Sequence, residues 1–215
     1  MKSKWLFVIT ILLFFSCKTS QNKSSTISAF SLHELILDNK ANKIRKYFDA
    51  GNHQTYLIEG WGPLLFAVEA GHTEIVQILI DNKFDVNVAS IKNGTFPLQR
   101  AASNGFDEIV NILIMNGADV DQQDTERRAT ALMFASVNGH ESVVKLLLSN
   151  DALINVRGTR GESALFLAVS AQHIDVVELL LSYGANKTRP DIYGKTCMQK
   201  ATELKNEELI NLLKD

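Results

Sequence analysis

An all-α solenoid of about six stacked helix-turn-helix units joined by short hairpin loops is the fold class that this 215-residue sequence predicts. Three observations carry the prediction. Ala67, Ala101, Ala135, Ala168 and Ala201 recur at intervals of 34, 34, 33 and 33 residues. A glycine follows the first three at the same offset, at Gly71, Gly105 and Gly139. Beyond it come apolar runs at helical spacing: Ile75-Val76 with Ile78 to Ile80, Ile109-Val110 with Ile112 to Ile114, Val143-Val144 with Leu146 to Leu148, and Val176-Val177 with Leu179 to Leu181.

Each element has a physical reason. A small alanine lets the first helix of a unit lie close to its neighbour, where a larger side chain would overpack. Pro63 and Pro97 stand where a first helix should start, a position at which the missing N–H costs little and the fixed φ suits a helix. The glycines follow that helix, where a left-handed residue ends it and reverses the chain. Gln172 stands at this place in a later unit and must either bear strain or change the turn. Leu, Ile and Val of the second helices pack between units, each burial contributing roughly 1.5 to 3 kcal/mol. No unit can fold alone, so the end units need polar outer faces. Lys214 in the place of Leu181, with Glu203, Lys205, Asn206, Glu207 and Glu208, supplies one cap. The segment Ser31 to Asp49 supplies the other, with Asn39, Lys40, Asn42, Lys43, Arg45 and Lys46 polar.

The hexapeptides that end on the alanines are Gly-Pro-Leu-Leu-Phe-Ala from Gly62, Phe-Pro-Leu-Gln-Arg-Ala from Phe96, Thr-Ala-Leu-Met-Phe-Ala from Thr130, Ser-Ala-Leu-Phe-Leu-Ala from Ser163 and Thr-Cys-Met-Gln-Lys-Ala from Thr196. They resemble the T-P-L-H-x-A motif of ankyrin repeats. Asn-Gly-Ala-Asp-Val-Asp from Asn116, Asp-Ala-Leu-Ile-Asn from Asp151 and Tyr-Gly-Ala-Asn from Tyr183 resemble that family's G-A-D-V-N. The resemblance implies a repeat domain over 29–215, in units of approximately 29–56, 57–90, 91–124, 125–157, 158–190 and 191–215.

It also implies a concave face, made of hairpin tips and the exposed side of the first helices, that binds another protein. Carried onto this chain, the family's contact positions are Glu59, Trp61 and Glu69; Lys92, Asn93, Thr95, Ser103 and Asn104; Glu126, Arg127, Val137 and Asn138; Thr159, Arg160, Glu162 and Ser170; and Ile192, Tyr193 and Lys195. Trp61 and Tyr193 are large aromatics of the kind that form binding hot spots, or they pack against the adjacent hairpin. Arg127, Arg128, Arg157, Arg160 and Arg189 fall in hairpin segments and imply an acidic partner surface. Glu126, Asp124, Glu162 and Asp191 are interspersed and leave open local pairing instead.

Other chemistry finds no footing in the residues. His72 and His140 follow the turn glycine, and His33 and His173 fill matching motif positions, so structural roles are expected and neither a metal site nor a cofactor is. Gly194-Lys195-Thr196 looks like the end of a phosphate loop, but Arg189 stands where its first glycine is required. Cys197 occupies the place of Pro63 and Pro97, a buried helix start, and is expected to be an inert thiol. Formal net charge is −2, and −4 without Lys2 and Lys4, which gives no reason to expect nucleic-acid binding.

Lys2 and Lys4 precede a largely apolar stretch from Trp5 to Phe15, which as a helix reaches only about 16 Å, half a bilayer core. Residues 1–16 are therefore read as a cleaved signal peptide. Ser16-Cys17 resembles a bacterial lipobox, with Phe14 where leucine is usual. That likeness implies a diacylglycerol on Cys17 and a flexible, polar tether over 17–28. Lys18 favours the outer membrane, facing the periplasm. The expected function is a monomeric, non-catalytic protein-binding module anchored by lipid. A periplasmic immunity protein that neutralises a toxin is a narrower alternative, and an enzyme with an unrecognised site is the competing class.

Overall fold

The computed structural model describes residues 29–52 and 60–214. The signal peptide, Cys17, the tether and Glu59 lie outside these residues. Twelve helices follow one another with no strand among the described residues: α1 Ala29–Leu37, α2 Ala41–Asp49, α3 Pro63–Glu69, α4 Thr73–Asp81, α5 Pro97–Asn104, α6 Asp107–Met115, α7 Ala131–Asn138, α8 Glu141–Ser149, α9 Ala164–Ala171, α10 Ile174–Ser182, α11 Cys197–Leu204 and α12 Glu207–Leu213. Odd-numbered helices stack on one another in an inner row and even-numbered helices in an outer row, each pair packed internally. This is a helical repeat solenoid with one continuous core.

The five recurrent alanines are completely buried in the inner row. Their carbonyls also close the turns: Ala67, Ala101, Ala135, Ala168 and Ala201 accept from the N–H of His72, Phe106, His140, His173 and Asn206 at 3.0 to 3.2 Å. Such a bond requires a left-handed residue just before the donor. Gly71, Gly105 and Gly139 supply it at φ 70°, 71° and 75°. Gln172 and Lys205 adopt the same conformation at φ 63° and 55°, so the non-glycine bears the strain and the turn keeps its form.

Behind that turn the next unit sits close. A Cβ on Gly139 would lie 2.6 Å from Nδ1 of His173, and one on Gly105 would lie 2.5 Å from Nδ1 of His140. These rings reach back one unit: Nε2 of His140 is 3.0 Å from the carbonyl of Ser103, and Nε2 of His173 is 3.1 Å from that of Val137. A carbonyl only accepts, so the proton is on Nε2 in both. The histidines therefore act as struts between units.

Pro63 and Pro97 open α3 and α5, and the hydroxyls of Thr130, Ser163 and Thr196 accept from Met133, Phe166 and Gln199 at the starts of α7, α9 and α11. Lys40, Lys43 and Lys46 at one end, and Glu207, Glu208 and Lys214 at the other, are exposed. Cys197 is buried at the start of α11, and burial pushes its thiol from 9.0 up to about 11, against a smaller lowering by a backbone hydrogen bond.

Two stability predictions follow from these turns and from this thiol. Gly139→Ala should cost at least about 2 kcal/mol in urea unfolding, because it adds left-handed strain and displaces the His173 strut. Gln172→Gly, which relieves strain but gives up the hydrogen bond accepted from Asn206 Nδ2 at 3.2 Å, should change stability by less than about 1 kcal/mol; equal effects of the two would contradict the turn assignment. The unfolded thiol loses its proton first as pH rises, so the unfolded state binds fewer protons between pH 9 and about 11. Wild-type stability should fall relative to Cys197→Ala across that window, and a constant difference would reject the burial effect.

Candidate functional site

Four hairpin fingers project beside the inner helices among the described residues. Each is closed at its base by a main-chain bond: Ser90 N–H to the Thr95 carbonyl, Asp124 to Ala129, Gly158 to Glu162 and Asp191 to Lys195, at 2.9 to 3.0 Å. They are turns without strand pairing beyond that bond. Side chains at the finger bases hold the shape. Asp124 accepts from the backbone N–H of Arg127 at 2.6 Å, and Asp191 accepts from those of Tyr193 and Lys195, both at 2.9 Å. Glu162 accepts from the N–H of Arg160 at 3.1 Å. The acids that could have neutralised the arginines are thus spent, in part, on the main chain.

Successive fingers are tied together. Ile91 N–H donates to the Gly60 carbonyl at 2.9 Å, Thr159 to Arg127 at 2.8 Å and Ile192 to Arg160 at 3.0 Å. Between the first and second fingers the link is a side chain: buried Gln99 donates to the carbonyls of Gln122 and Ala129 at 2.8 and 2.9 Å while its oxygen accepts from Phe96 N–H at 3.0 Å. Gln99 stands at the histidine place of the hexapeptide motif, and sequence reasoning had no reason to single it out.

The expected contact residues divide into three groups. Those near the first finger are engaged within the protein. Trp61 is half-buried, its ring 5.6 Å from that of Phe66 and 5.1 Å from the Arg100 guanidinium. Arg100 in turn pairs with Glu69 at 3.3 Å, and Asn104 donates to Glu69 at 3.2 Å. Asn93 accepts from Thr95 N–H, and Asn138 donates to Ser103. Thr95 is 7% exposed, since its backbone closes the first finger, and what shows of it borders the shallow end of the groove described below. Lys92 alone of this group is exposed without such a tie.

The second group converges. Glu126, Arg127, Val137, Thr159, Arg160 and Glu162 line one groove of about 480 Å³ between the second and third fingers. Its floor is apolar, made by Met133 and Phe134 of α7 and Leu167 of α9. Sequence reasoning missed Phe134 and Leu167, although both precede a register alanine where another unit carries Arg100. Arg127 and Arg160 are exposed, and among the described residues neither guanidinium makes an ion pair or a hydrogen bond. A shallower continuation of about 160 Å³ runs from Arg127 and Phe134 toward Asn93 and Ser103.

Of the remaining hairpin arginines, Arg157 and Arg128 behave differently. Arg157 donates from Nε to the Gly161 carbonyl at 2.7 Å and from Nη2 to that of Pro190 at 2.6 Å, bracing the third finger and reaching the fourth. Arg128 donates to Oε1 of Gln123 at 3.3 and 3.1 Å. In the third group, Ile192 and Tyr193 are 62% and 74% exposed at the fourth fingertip, so Tyr193 packs on no neighbouring finger. Lys195 lies 2.7 and 2.8 Å from the two carboxylate oxygens of Glu203. The Ser170 hydroxyl is buried and makes no hydrogen bond among the described residues.

Among the described residues no three of His, Cys, Asp and Glu come together as a metal-holding group, and no helix is long and apolar enough to cross a membrane. A family model described as ankyrin repeats (3 copies) matches residues 29–124, 108–191 and 132–215. Alpha-latrotoxin-Lh1a of Latrodectus hasselti is 38% identical over 61 residues, which are 28% of this chain and 4% of that protein, so the chain spans a small fraction of that relative's length. With the alanine register, the paired helices and the left-handed turns, the matched segments show that the chain belongs to the ankyrin-repeat family.

Proposed function

We propose that this chain is a non-catalytic protein-binding module whose partner docks an acidic segment in the groove between the second and third fingers. The observation that carries the reading is the pair of unengaged guanidinium groups of Arg127 and Arg160 above an apolar floor. Their backbones are fixed, since the Arg127 carbonyl accepts from Thr159 and the Arg160 carbonyl from Ile192. Two arginines on braced fingers lose little freedom when they grip a carboxylate, which is how preorganisation favours binding. Exposed Ile91, Ile192 and Tyr193 on the outer fingers add apolar contacts on either side. Ankyrin-repeat proteins are generally non-catalytic interaction modules.

We place the module in a bacterial envelope, held by a diacylglycerol on Cys17 and facing the periplasm. The support is the sequence Lys2 to Cys17 with its short apolar stretch and Ser16-Cys17 junction. Palmitate labelling should be present in the wild type and abolished in Cys17→Ser; label retained in the variant would remove the anchor from this reading.

The groove is tested with a partner captured from the membrane fraction by the full chain. Replacing Arg127 and Arg160 together by alanine should weaken binding at least tenfold, since hydrogen bonds to charged groups contribute about 1.5 to 3 kcal/mol each, and should flatten its salt dependence. Arg157→Ala should instead lower the melting temperature. Unchanged affinity and unchanged salt slope in the double variant would end the assignment.

A further inference from the structure

The outer row of helices is segregated by charge. From α4 to α12 its five helices carry nine acids, Glu74, Asp81, Asp107, Glu108, Glu141, Asp175, Glu178, Glu207 and Glu208, and one base, Lys145, all exposed. The first outer helix, α2, inverts this. It carries Lys43, Arg45 and Lys46 with Lys40 just before it, against Asp49. Arg45 is engaged by Glu74 of the next unit at 3.1 Å. Lys40, Lys43 and Lys46 are exposed and make no ion pair among the described residues, and their spacing of three places them along one side of the helix. Glu34 and Asp38 are the other acids of this end unit.

The lysines are also misplaced for the helix that bears them. Each of α4, α6, α8, α10 and α12 has an acid in its first turn, where the helix dipole favours negative charge. No acid stands in the first turn of α2, no side chain caps it, and Lys40 and Lys43 meet the positive end of its dipole. A charge set against its own helix breaks local consistency, as natural chains do at functional sites.

We infer that the Lys40, Lys43 and Lys46 side of α2 docks on an anionic phospholipid surface, as a second and electrostatic membrane contact. The inference rests on the acylated Cys17 of the proposed function. Eleven residues separate Cys17 from α1, so chain length alone keeps the first unit within about 40 Å of the anchor. Tethering raises the effective concentration of that unit at the surface. Lysine near an anionic surface contributes about fivefold in binding per residue. The acids of the later outer helices are repelled by the same surface, so the solenoid stands on its first unit and holds the finger grooves clear of the lipid.

The test uses the full chain purified with its anchor and reconstituted into vesicles of phosphatidylcholine alone or with about a third phosphatidylglycerol. A pulse of amine-reactive label read by mass spectrometry should modify Lys40, Lys43 and Lys46 about fivefold or more slowly on the anionic vesicles, with protection lost in high salt. Lys145 and Lys205 should label alike on both. Lys43→Gln with Lys46→Gln should keep the melting temperature and remove the protection of Lys40. Equal labelling on the two vesicles would overturn the inference, and protection already present in detergent would overturn it in favour of a second protein copy. The Cys17 peptide mass reads the anchor separately: unmodified Cys17 with protected lysines rejects only the anchor, and acylated Cys17 with unprotected lysines rejects only the lysine contact.

Discussion

The whole array depends on one clearance: successive inner helices approach so closely that only a methyl group fits at Ala67, Ala101, Ala135, Ala168 and Ala201. That approach sets the repeat of every other feature. It brings each turn against the next unit, so that Gly105 and Gly139 face the rings of His140 and His173. It brings the fingers within one hydrogen bond of each other, which is why Thr159 can reach Arg127 and Ile192 can reach Arg160. Since each unit meets only its neighbours, stability is a sum of unit and neighbour contributions, and the ends must be closed by polar faces.

Much of this was legible in the sequence because it is local and repeated. The alanine register, the prolines, the glycine turns and the apolar outer helices each carry a residue-type signature that recurs at a fixed offset. What the sequence could not separate were residues of one type in one kind of segment. Arg127 and Arg157 are both hairpin arginines, yet one is free over the groove and the other braces two carbonyls. The difference is a matter of which carbonyls lie in reach, and that is set in three dimensions. Thr95 and Trp61 are engaged within the protein for the same reason: a finger closure and a ring stack have no linear signature. The strained turns at Gln172 and Lys205 show that the turn geometry is imposed by packing and not by glycine preference.

The site is partitioned along the stack. Toward the first finger, Trp61, Arg100, Glu69 and Asn104 satisfy one another, so a visitor there would have to displace existing contacts. Toward the third finger, the charged groups are held by their backbones and left open at their tips. The contact positions that the family resemblance implied are therefore unequal, and the groove over Met133, Phe134 and Leu167 is where cost of entry is lowest.

The Gln99 link gives this partition a mechanical meaning. Main-chain links between fingers survive any exchange of side chains, whereas the hydrogen-bonded link from the first to the second finger is made by one side-chain amide, beside the packing of Thr125 on Gly94. The hydrogen-bond ladder along the fingers thus changes at this junction from main chain to side chain, while the helices beneath stay in one continuous core. Exchange of Gln99 would remove that rung and leave the main-chain rungs on either side in place.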